Sequence, residues 1–324
     1  MAAVLSRLLL PACLLASSAA PAQTWPDRTV TIMVTSAAGA LTDVLTRAVA
    51  QRLSETWKQS VIVENRGGAG YIIAAQSVLR AEHDGYTLLA SETGFYTTQP
   101  HLYAKEKLPY DVEKDFVPVA GYGTIPQALL VNPSFPANSV GDLIALAKKK
   151  RGTVTFGTAG VGTALHIAGL ELENLAGIEM TAVHYRGAAP ALTDLIAGHI
   201  DAIIMGPSVA LSAVEAGKLR MLAFASDKRV PQFPDVPTVA ETLPGYEASV
   251  SFGLFATAGT PAGVVGKVNA DVQRIVGDPD FRKKYLERFA VEPVPGPLDA
   301  FAEYLRRESA MWGAVIRKTN VKIE

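Results

Sequence analysis

The chain has 324 residues, of which 49% are hydrophobic and 19% charged, a composition typical of a well-packed globular protein long enough for two domains. The formal net charge is −1 and no basic stripe appears, which argues against a nucleic-acid-binding protein. The densest basic run, 148–151, ends a predicted helix, where cations complement the helix dipole.

The first 22 residues have the pattern of a cleavable signal peptide. A single charge, Arg7, precedes an apolar run over 8–16, and A-P-A over 20–22 supplies the small residues that signal peptidase requires. The apolar run is shorter than the about 20 residues that cross a bilayer, which disfavours a membrane anchor. Cys13 is the only cysteine, and a lipoprotein anchor there is a weaker alternative. We therefore expect export to the periplasm, cleavage after Ala22 and no disulfide.

Short strands and helices alternate after the signal peptide. Residues 29–35 (TVTIMVT) have the β-branched composition of a strand, and an apolar stripe with helical spacing follows over 45–53. The alternation continues with predicted strands over 61–64 and 86–90 and a helix over 72–81. Such strand–helix–strand units predict an α/β fold with a mostly parallel sheet that helices cover on both faces.

The chain then enters a second series of alternating elements. Over 121–132 a loop passes directly into a strand, as if the chain crossed to another sheet, and a strand over 251–256 leads back. After Pro261 the pattern is helical to the C-terminus, with an interruption near 293–297. Within the second series, strands are predicted over 154–157, 182–185, 202–205 and 222–225, and helices over 140–150, 165–176, 188–197 and 210–216.

A second sheet that is entered once and left once is the architecture of a two-lobed receptor. Its two crossing segments form a hinge, and its ligand lies in the cleft between the lobes. We therefore predict a signal peptide over 1–22, a discontinuous first lobe over 23–124 and 249–324, and a second lobe over 125–248.

The loop after the first strand contains small residues and leads directly into a helix. Small side chains let a ligand approach the backbone, and the N–H groups at a helix start attract negative charge. The alternative is an ordinary turn in which Thr42 or Asp43 caps the helix, and for this loop alone that alternative is favoured. The candidate ligand-binding residues here are Ser36, Ala38, Gly39, Ala40, Thr42 and Asp43.

A second loop of this kind follows the strand over 154–157. Its glycines have the spacing G-x-x-G-x-G, which differs from the dinucleotide-binding pattern. Because each lobe presents one such loop at a helix start, the pair predicts a carboxylate site that needs no arginine. His166 is included, although a histidine in a first helical turn is more often a cap or packing residue. The candidates here are Thr158, Ala159, Gly160, Val161, Gly162, Thr163 and His166.

Two further places in the first lobe carry polar candidates. Arg66 precedes a glycine-rich turn and could bind an anion, but pairing with Glu64 or Asp84 is at least as good an interpretation. Glu92 follows the third strand at its carboxyl end, where open α/β sheets bind ligands. It would repel a carboxylate and attract an amine. This region contributes the candidates Gly68, Gly70, Glu92 and Thr93.

The remaining candidates follow two strands of the second lobe. His184 and Tyr185 are neighbours at the end of a strand, so only one of the two is expected to face the cleft. Arg186 raises the same question as Arg66, because it can bind a ligand or pair with a surface acid. The candidates here are Tyr185, Arg186, Gly187 and Pro207.

No arrangement of residues predicts catalysis. The chain has no G-x-S-x-G sequence, and its five histidines lack the H-E-x-x-H or H-x-H spacing of metal sites. We therefore predict a binding protein, not an enzyme, without metal or cofactor. The alternatives are a receptor that signals without transport, an exported α/β enzyme, and the effector lobe of a transcription regulator. The last is disfavoured by the export signal and the lack of a DNA-binding helix pair.

Several short motifs occur together along the predicted mature chain. They include V-E-N-R over 63–66, D-G-Y-T-L-L over 84–89, Y-R-G over 185–187, P-D-V-P-T over 234–238 and G-T-P over 259–261. In this combination the chain resembles the tripartite tricarboxylate transporter receptors, also called the Bug family of periplasmic solute receptors.

The resemblance implies a type II periplasmic binding fold and a carboxylate held by main-chain groups and waters between the two small-residue loops. The paired loops and the two crossings predict hinged closure of the lobes over the ligand and its delivery to membrane permease subunits, and we expect a monomer. The chain departs from the family patterns at three places. Ser36 to Ala40 replaces Phe-Pro-Ala-Gly-Gly, Tyr71 stands where a glycine is usual, and His184 replaces a proline. These departures leave the identity of the ligand open.

Overall fold

The computed structural model describes residues 25–68, 70–104, 107–294 and 296–319. The predicted signal peptide over 1–22, with Cys13, lies outside the described residues. In the part of the chain that the structure describes, no helix is both long and apolar enough to cross a membrane.

Ten strands and a larger number of helices make up the described chain. The strands are β1 Val30–Val34, β2 Val61–Asn65, β3 Thr87–Glu92, β4 Phe116–Pro126, β5 Ala128–Val131, β6 Thr155–Thr158, β7 Thr181–His184, β8 Ala202–Met205, β9 Arg220–Phe224 and β10 Ser249–Thr257. The longer helices and single turns are α1 Leu41–Trp57, α2 Ile72–Leu79, α3 Gly94–Thr97, α4 Gln99–Leu102, α5 Val112–Asp115, α6 Val140–Lys149, α7 Ala164–Ala176, α8 Ala188–Ala197, α9 Leu211–Glu215, α10 Val239–Thr242, α11 Ala262–Gly277, α12 Pro279–Phe281 and α13 Leu298–Thr319. Short 3-10 turns cover Pro207–Val209 and Glu287–Phe289, and a π-helical turn covers Arg282–Leu286.

The strands form two five-stranded sheets with the same internal order. The first sheet runs β2-β1-β3-β10-β4 and the second β7-β6-β8-β5-β9. In each, the first three strands are parallel, and the fourth is antiparallel to both of its neighbours. That fourth strand arrives from the other sheet, so each sheet is completed by a crossing segment. We call each sheet with the helices packed on it the first and the second lobe.

Helices cover both faces of each sheet, as predicted from the alternating pattern. In β3, Leu88 and Ala90 pack in the cluster that contains α1 and α11, whereas Leu89 packs with α2 and α3. In the second lobe, α6 and α7 cover one face and α8 the other. Strands that are buried on both faces need apolar residues at every position. This explains the uninterrupted apolar sequences ALLV of β5 and AIIM of β8, in which all residues are buried.

The first crossing was predicted as a loop that passes into a strand over 121–132, but residues 121–126 already form a strand. This segment is the end of β4 and pairs with β10 through an irregular register. The glycines of this segment are not typical of a strand. The tertiary packing requires glycine, because a Cβ at Gly121 would lie 2.1 Å from the Val294 side chain. Gln127 alone then separates β4 from β5, and it is 1% exposed.

The C-terminal helix α13 contacts both lobes. Phe301 and Leu305, near its start, pack in a first-lobe cluster with Phe255. Trp312 and Ile316, near its end, belong to the cluster of the second lobe. The helix therefore lies beside the two crossing segments as a third connection between the lobes.

Candidate functional site

The predicted site residues gather at the carboxyl ends of the parallel strands. Ser36 follows β1 and Glu92 ends β3, whereas Thr158 ends β6 and Tyr185 follows β7. Pro207 lies in the 3-10 turn after β8 and is buried. Carboxyl ends of parallel strands are where open α/β sheets bind ligands, because the following loops and helix starts present unpaired backbone groups there.

The loop over 36–40, which we call the first-lobe loop, is held by the side chain of Asp43. This residue is 3% exposed, and its carboxylate accepts the Gly39 N–H at 2.9 Å and the Asn65 amide at 2.9 Å. The Arg47 Nε lies 2.9 Å from the same carboxylate. Burial alone would raise the pKa of Asp43, but these hydrogen bonds and the Arg47 charge lower it overall. Asp43 is therefore ionised, and its hydrogen bonds hold the loop in place.

The start of α1 differs from the predicted capping. Ala40 is the N-cap with an extended φ of −65° and no side-chain cap, so neither Thr42 nor Asp43 occupies that position. The first-turn N–H groups beyond the loop thus have no capping side chain. The Ser36 hydroxyl is buried without a hydrogen-bond partner among the described residues, and Ala38 and Gly39 are exposed.

The loop over 158–163, the second-lobe loop, is held by neutral groups instead. The Thr158 hydroxyl oxygen accepts the Gly160 N–H at 3.2 Å, and the Thr163 hydroxyl donates to the Gly160 carbonyl at 2.8 Å. The Gly162 N–H donates to His166 Nδ1 at 3.0 Å. Gly160 and Gly162 have φ values of +125° and +75°, which favour glycine. Thr163 is the N-cap of α7 and makes no side-chain cap bond.

His166 acts in this loop as a hydrogen-bond acceptor, so its Nδ1 carries no proton. The residue is 5% exposed, and burial, aided by nearby His184, lowers its pKa to about 4. The two imidazole rings lie edge to face with centroids 4.8 Å apart. His166 is therefore a neutral acceptor for the Gly162 N–H of the loop, a local structural role of the kind that is common for a histidine in a first helical turn.

The structure distinguishes His184 from Tyr185. His184 Nδ1 lies 2.7 Å from the Thr158 hydroxyl, so this histidine contacts the second-lobe loop. The Tyr185 hydroxyl donates to Asp194 on α8 at 2.7 Å. His184 was absent from the candidates, although the sequence predicted that one of these two neighbouring residues would face the cleft.

Arg66 forms a surface ion pair. Its guanidinium lies 3.2 Å from the Glu64 carboxylate, and both side chains are largely exposed. The interpretation of Arg66 as a partner of Glu64 is therefore confirmed. Arg186 is exposed, and Gly187 is the N-cap of α8. Gly68 and Gly70 lie in the exposed turn that follows β2.

A cavity of 30 Å³ lies where the two lobes meet, and we call it the interlobe cavity. Its lining residues belong to the first lobe, the crossing segments, the start of α7 and the end of α13. Of the predicted residues, Glu92 and Thr93 line it, and Ala164 of its lining directly follows Thr163. The full lining is Tyr71, Glu92, Thr93, Gly94, Thr97, Thr98, Gln127, Ala164, Ile167, Ser249, Val250 and Trp312. Neither Tyr71 nor Gln127 was among the candidates, because Tyr71 was treated only as a departure from a family pattern and Gln127 lies between two strands.

Glu92 is the one carboxylate in this lining. The Tyr71 hydroxyl donates to its Oε2 at 2.9 Å. Burial raises the pKa of Glu92, and the Tyr71 hydrogen bond offsets only part of this. A cavity of 540 Å³ lies elsewhere in the first lobe, between Tyr96, Tyr103 and Tyr110, and none of the predicted residues lines it. Among the described residues, no group of three or more His, Cys, Asp or Glu could hold a metal ion.

The chain is similar to proteins of known family and known structure. The family model of the "Tripartite tricarboxylate transporter family receptor" matches residues 45–321. Protein BugT of Bordetella pertussis is 32% identical over 315 residues, covering 95% of this chain and 95% of BugT. An R. palustris protein solved with adipate has a TM-score of 0.84 at 34% identity, covering 92% of this chain and 99% of its own. MatC from Rhodopseudomonas palustris with bound malate has a TM-score of 0.79 at 32% identity, covering 90% of this chain and 100% of its own.

Proposed function

This chain belongs to the tripartite tricarboxylate transporter receptor family, and on that premise we propose that it captures a small carboxylate between its two lobes. Its family and its solved relatives are solute-binding proteins, so the chain is a solute receptor of such a transporter and not an enzyme. The relatives solved with adipate and malate support a carboxylate as the ligand class.

The observation that carries the proposal is the pair of uncapped helix starts. Both α1 and α7 follow a parallel strand, and neither N-cap side chain accepts a hydrogen bond from the first turn of its helix. In an α-helix the first N–H groups have no partner within the helix, and the helix dipole adds partial positive charge there. A carboxylate between the two starts would accept hydrogen bonds from both lobes and favour their closure. The Asp43 charge next to the first start is offset by Arg47.

We also propose the binding residues, the lobe boundaries, the cellular location and the partner of this receptor. The binding residues are the backbone groups of the first-lobe and second-lobe loops, with lobes divided at 124/125 and 248/249. The signal peptide over 1–22 directs the chain to the periplasm, where it works as a monomer and delivers its ligand to the membrane subunits of the transporter. The composition of the first 22 residues supports export.

Isothermal titration calorimetry on the exported protein tests the proposal. The panel is succinate, malate, glutarate and adipate, each matched with the diamide of the same skeleton. We expect at least one carboxylate to bind, and its diamide to bind at least a hundredfold more weakly, because the amide lacks the charge that the helix starts stabilise.

Nuclear magnetic resonance spectra of the ligand before and after incubation serve as the control for turnover. An unchanged ligand agrees with a receptor. Binding of the diamides as tightly as of the acids would contradict the carboxylate site, and so would binding of neutral sugars alone.

A further inference from the structure

We propose that the interlobe cavity is a subsite for a protonated amine, so that this receptor prefers amino-carboxylates to carboxylates of the same skeleton without the amine. The inference rests on the proposed carboxylate function and specifies its substrate class. Three features carry it: an uncompensated carboxylate, a buried unpartnered carbonyl, and a set of hydroxyls that are already committed as donors.

The uncompensated carboxylate is Glu92. It lines the cavity at the carboxyl end of β3, and no cation of the described residues forms an ion pair with it. The Tyr71 hydroxyl satisfies Oε2 and leaves Oε1 for another donor. The lining contains no lysine, arginine or histidine. A partly buried carboxylate without a cation is unfavourable, and a ligand that brings its own positive charge removes that cost.

The unpartnered carbonyl belongs to Gln127. This residue is 1% exposed, and its Oε1 has no hydrogen-bond partner among the described residues. Its backbone is fixed between the crossing segments, since its N–H donates to the Ala248 carbonyl at 3.0 Å and its carbonyl accepts from Ala225 at 2.7 Å. Gln127 is also a lining residue of the cavity that Glu92 lines. A buried polar group without a partner calls for an explanation, and a ligand donor provides one.

The hydroxyl groups of the lining donate elsewhere. Thr93 donates to Glu308 at 3.1 Å, Thr97 to the Thr93 carbonyl at 3.1 Å, and Thr98 to the Gly94 carbonyl at 2.8 Å. Ser249 donates to Glu247 at 3.3 Å. With their protons committed, these oxygens can only accept. The lining hydroxyls therefore match a group that is rich in donors.

Tyr71 is held in an unfavourable backbone conformation next to Glu92. Its φ is +76°, a left-handed value that tyrosine rarely adopts. Strained residues persist where the surrounding structure over-determines them, often at ligand sites. Here the conformation places the Tyr71 hydroxyl on Glu92, which orients the carboxylate.

The size and charge of the cavity select an ammonium group. A volume of 30 Å³ holds a group of about the size of a water molecule, but not a ligand skeleton. An ammonium group has three donors and a positive charge, whereas a hydroxyl has one donor and leaves the Glu92 charge without a counter-charge. The rest of the ligand would extend toward the second-lobe loop, since Ala164 follows Thr163 directly.

Calorimetry with succinate, malate and aspartate tests the inference, because these differ only in hydrogen, hydroxyl or ammonium on one skeleton. Glutarate, 2-hydroxyglutarate and glutamate repeat the series with one more carbon. The wild-type protein is expected to bind the amino member at least tenfold more tightly than the other two. Glu92→Gln, which keeps the shape and removes the charge, should reduce that preference to less than twofold. Glu64→Gln, at an exposed carboxylate outside the cavity, is the matched control and should keep it.

Equal affinity for all three members of a series in the wild-type protein overturns the inference and leaves the proposed function intact. The same holds for a preference that survives in Glu92→Gln. If neither series nor adipate binds, the proposed carboxylate function fails and the amine subsite fails with it. If adipate alone binds, the proposed function stands and the amine subsite is overturned. Should Glu92→Gln lose its folded circular dichroism spectrum, Tyr71→Phe replaces it, with an expected three- to tenfold reduction of the preference.

Discussion

The two helix-start loops occupy equivalent places in the two lobes but are held by different chemistry. In the first-lobe loop, the ionised Asp43 carboxylate accepts the Gly39 N–H and is paired with Arg47. In the second-lobe loop, the corresponding acceptors for glycine N–H groups are the Thr158 hydroxyl and the neutral His166 ring. The same backbone arrangement is thus stabilised by a charge network in one lobe and by neutral hydrogen bonds in the other.

This difference shows how one anion site can be built from unequal halves. A negative side chain beside the first loop is tolerated because Arg47 and Asn65 compensate it. The second loop brings no charge, so its helix start acts on a ligand without an opposing carboxylate. The two loops should also lose stability in different pH ranges. The lowered pKa of Asp43 keeps its carboxylate charged in mild acid, whereas His166 accepts its hydrogen bond only while the ring is neutral.

The largest expected effect is a loss of stability in acid caused by His166, which holds the second-lobe loop. The pKa of His166 is about 4 in the folded protein against an ordinary value of 6.5, so the unfolded chain binds more protons between these pH values. The free energy of unfolding is therefore highest above pH 6.5 and falls as the pH approaches 4. Protonation of His166 accounts for at most about 3 kcal/mol of this loss. Urea unfolding from pH 7 to pH 4 measures the slope. His166→Asn, which keeps an acceptor and cannot titrate, should flatten it.

The control for this experiment is His83→Asn, at an exposed histidine remote from the loop. It should leave the pH slope unchanged. A slope that is the same in His166→Asn as in the wild type would show that His166 is not the titrating group.

The next effect concerns the charge network of the first-lobe loop. Asp43→Ala leaves the Gly39 N–H and the Asn65 amide without their acceptor, and we expect it to lower the free energy of unfolding by about 2 kcal/mol. Urea unfolding at pH 7 measures this. Asp142 is the matched control, since it is also the third residue of its helix and accepts the Asn138 N–H at 2.9 Å, but is exposed. A loss for Asp142→Ala as large as for Asp43→Ala would contradict the role of burial.

The smallest effects compare the backbone of the second-lobe loop with a nearby charge. Gly160 has a φ of +125°, which valine cannot adopt without strain, so Gly160→Val should displace the loop and weaken carboxylate binding about tenfold. Arg66→Ala removes only a surface ion pair and should change affinity less than twofold. Calorimetry with the tightest-binding carboxylate measures both.

Gly217→Val is the matched control for this comparison. Gly217 has a φ of +67° and lies after α9, and a Cβ at this position would have no neighbouring atom within 4 Å. The substitution should strain the chain without changing affinity. A larger effect of Arg66→Ala than of Gly160→Val would contradict binding by main-chain groups.

Much of the fold could be predicted from local patterns. The strand over 202–205 and the helix over 188–197 have the predicted bounds, because apolar runs and helical spacing are properties of neighbouring residues. The two-lobed type II periplasmic binding fold and membership of the receptor family are confirmed by the two sheets, the family match and the solved relatives. The end of β4 and the short helices over 94–115 were not predicted, since their form depends on partners distant in sequence.

By itself, the sequence determined the alternation of elements, the two crossings and the two glycine-containing loops at helix starts. These features depend on composition and spacing over a few residues. Only the tertiary structure decided that the His184 side chain, and not the Tyr185 side chain, bonds to the second-lobe loop, and that the Asp43 carboxylate holds the first. It also brought Tyr71, Glu92 and Gln127 to one cavity from three separate segments. Such contacts arise when segments pack together within a lobe or between the lobes, and no pattern of neighbouring residues encodes which distant side chains will meet.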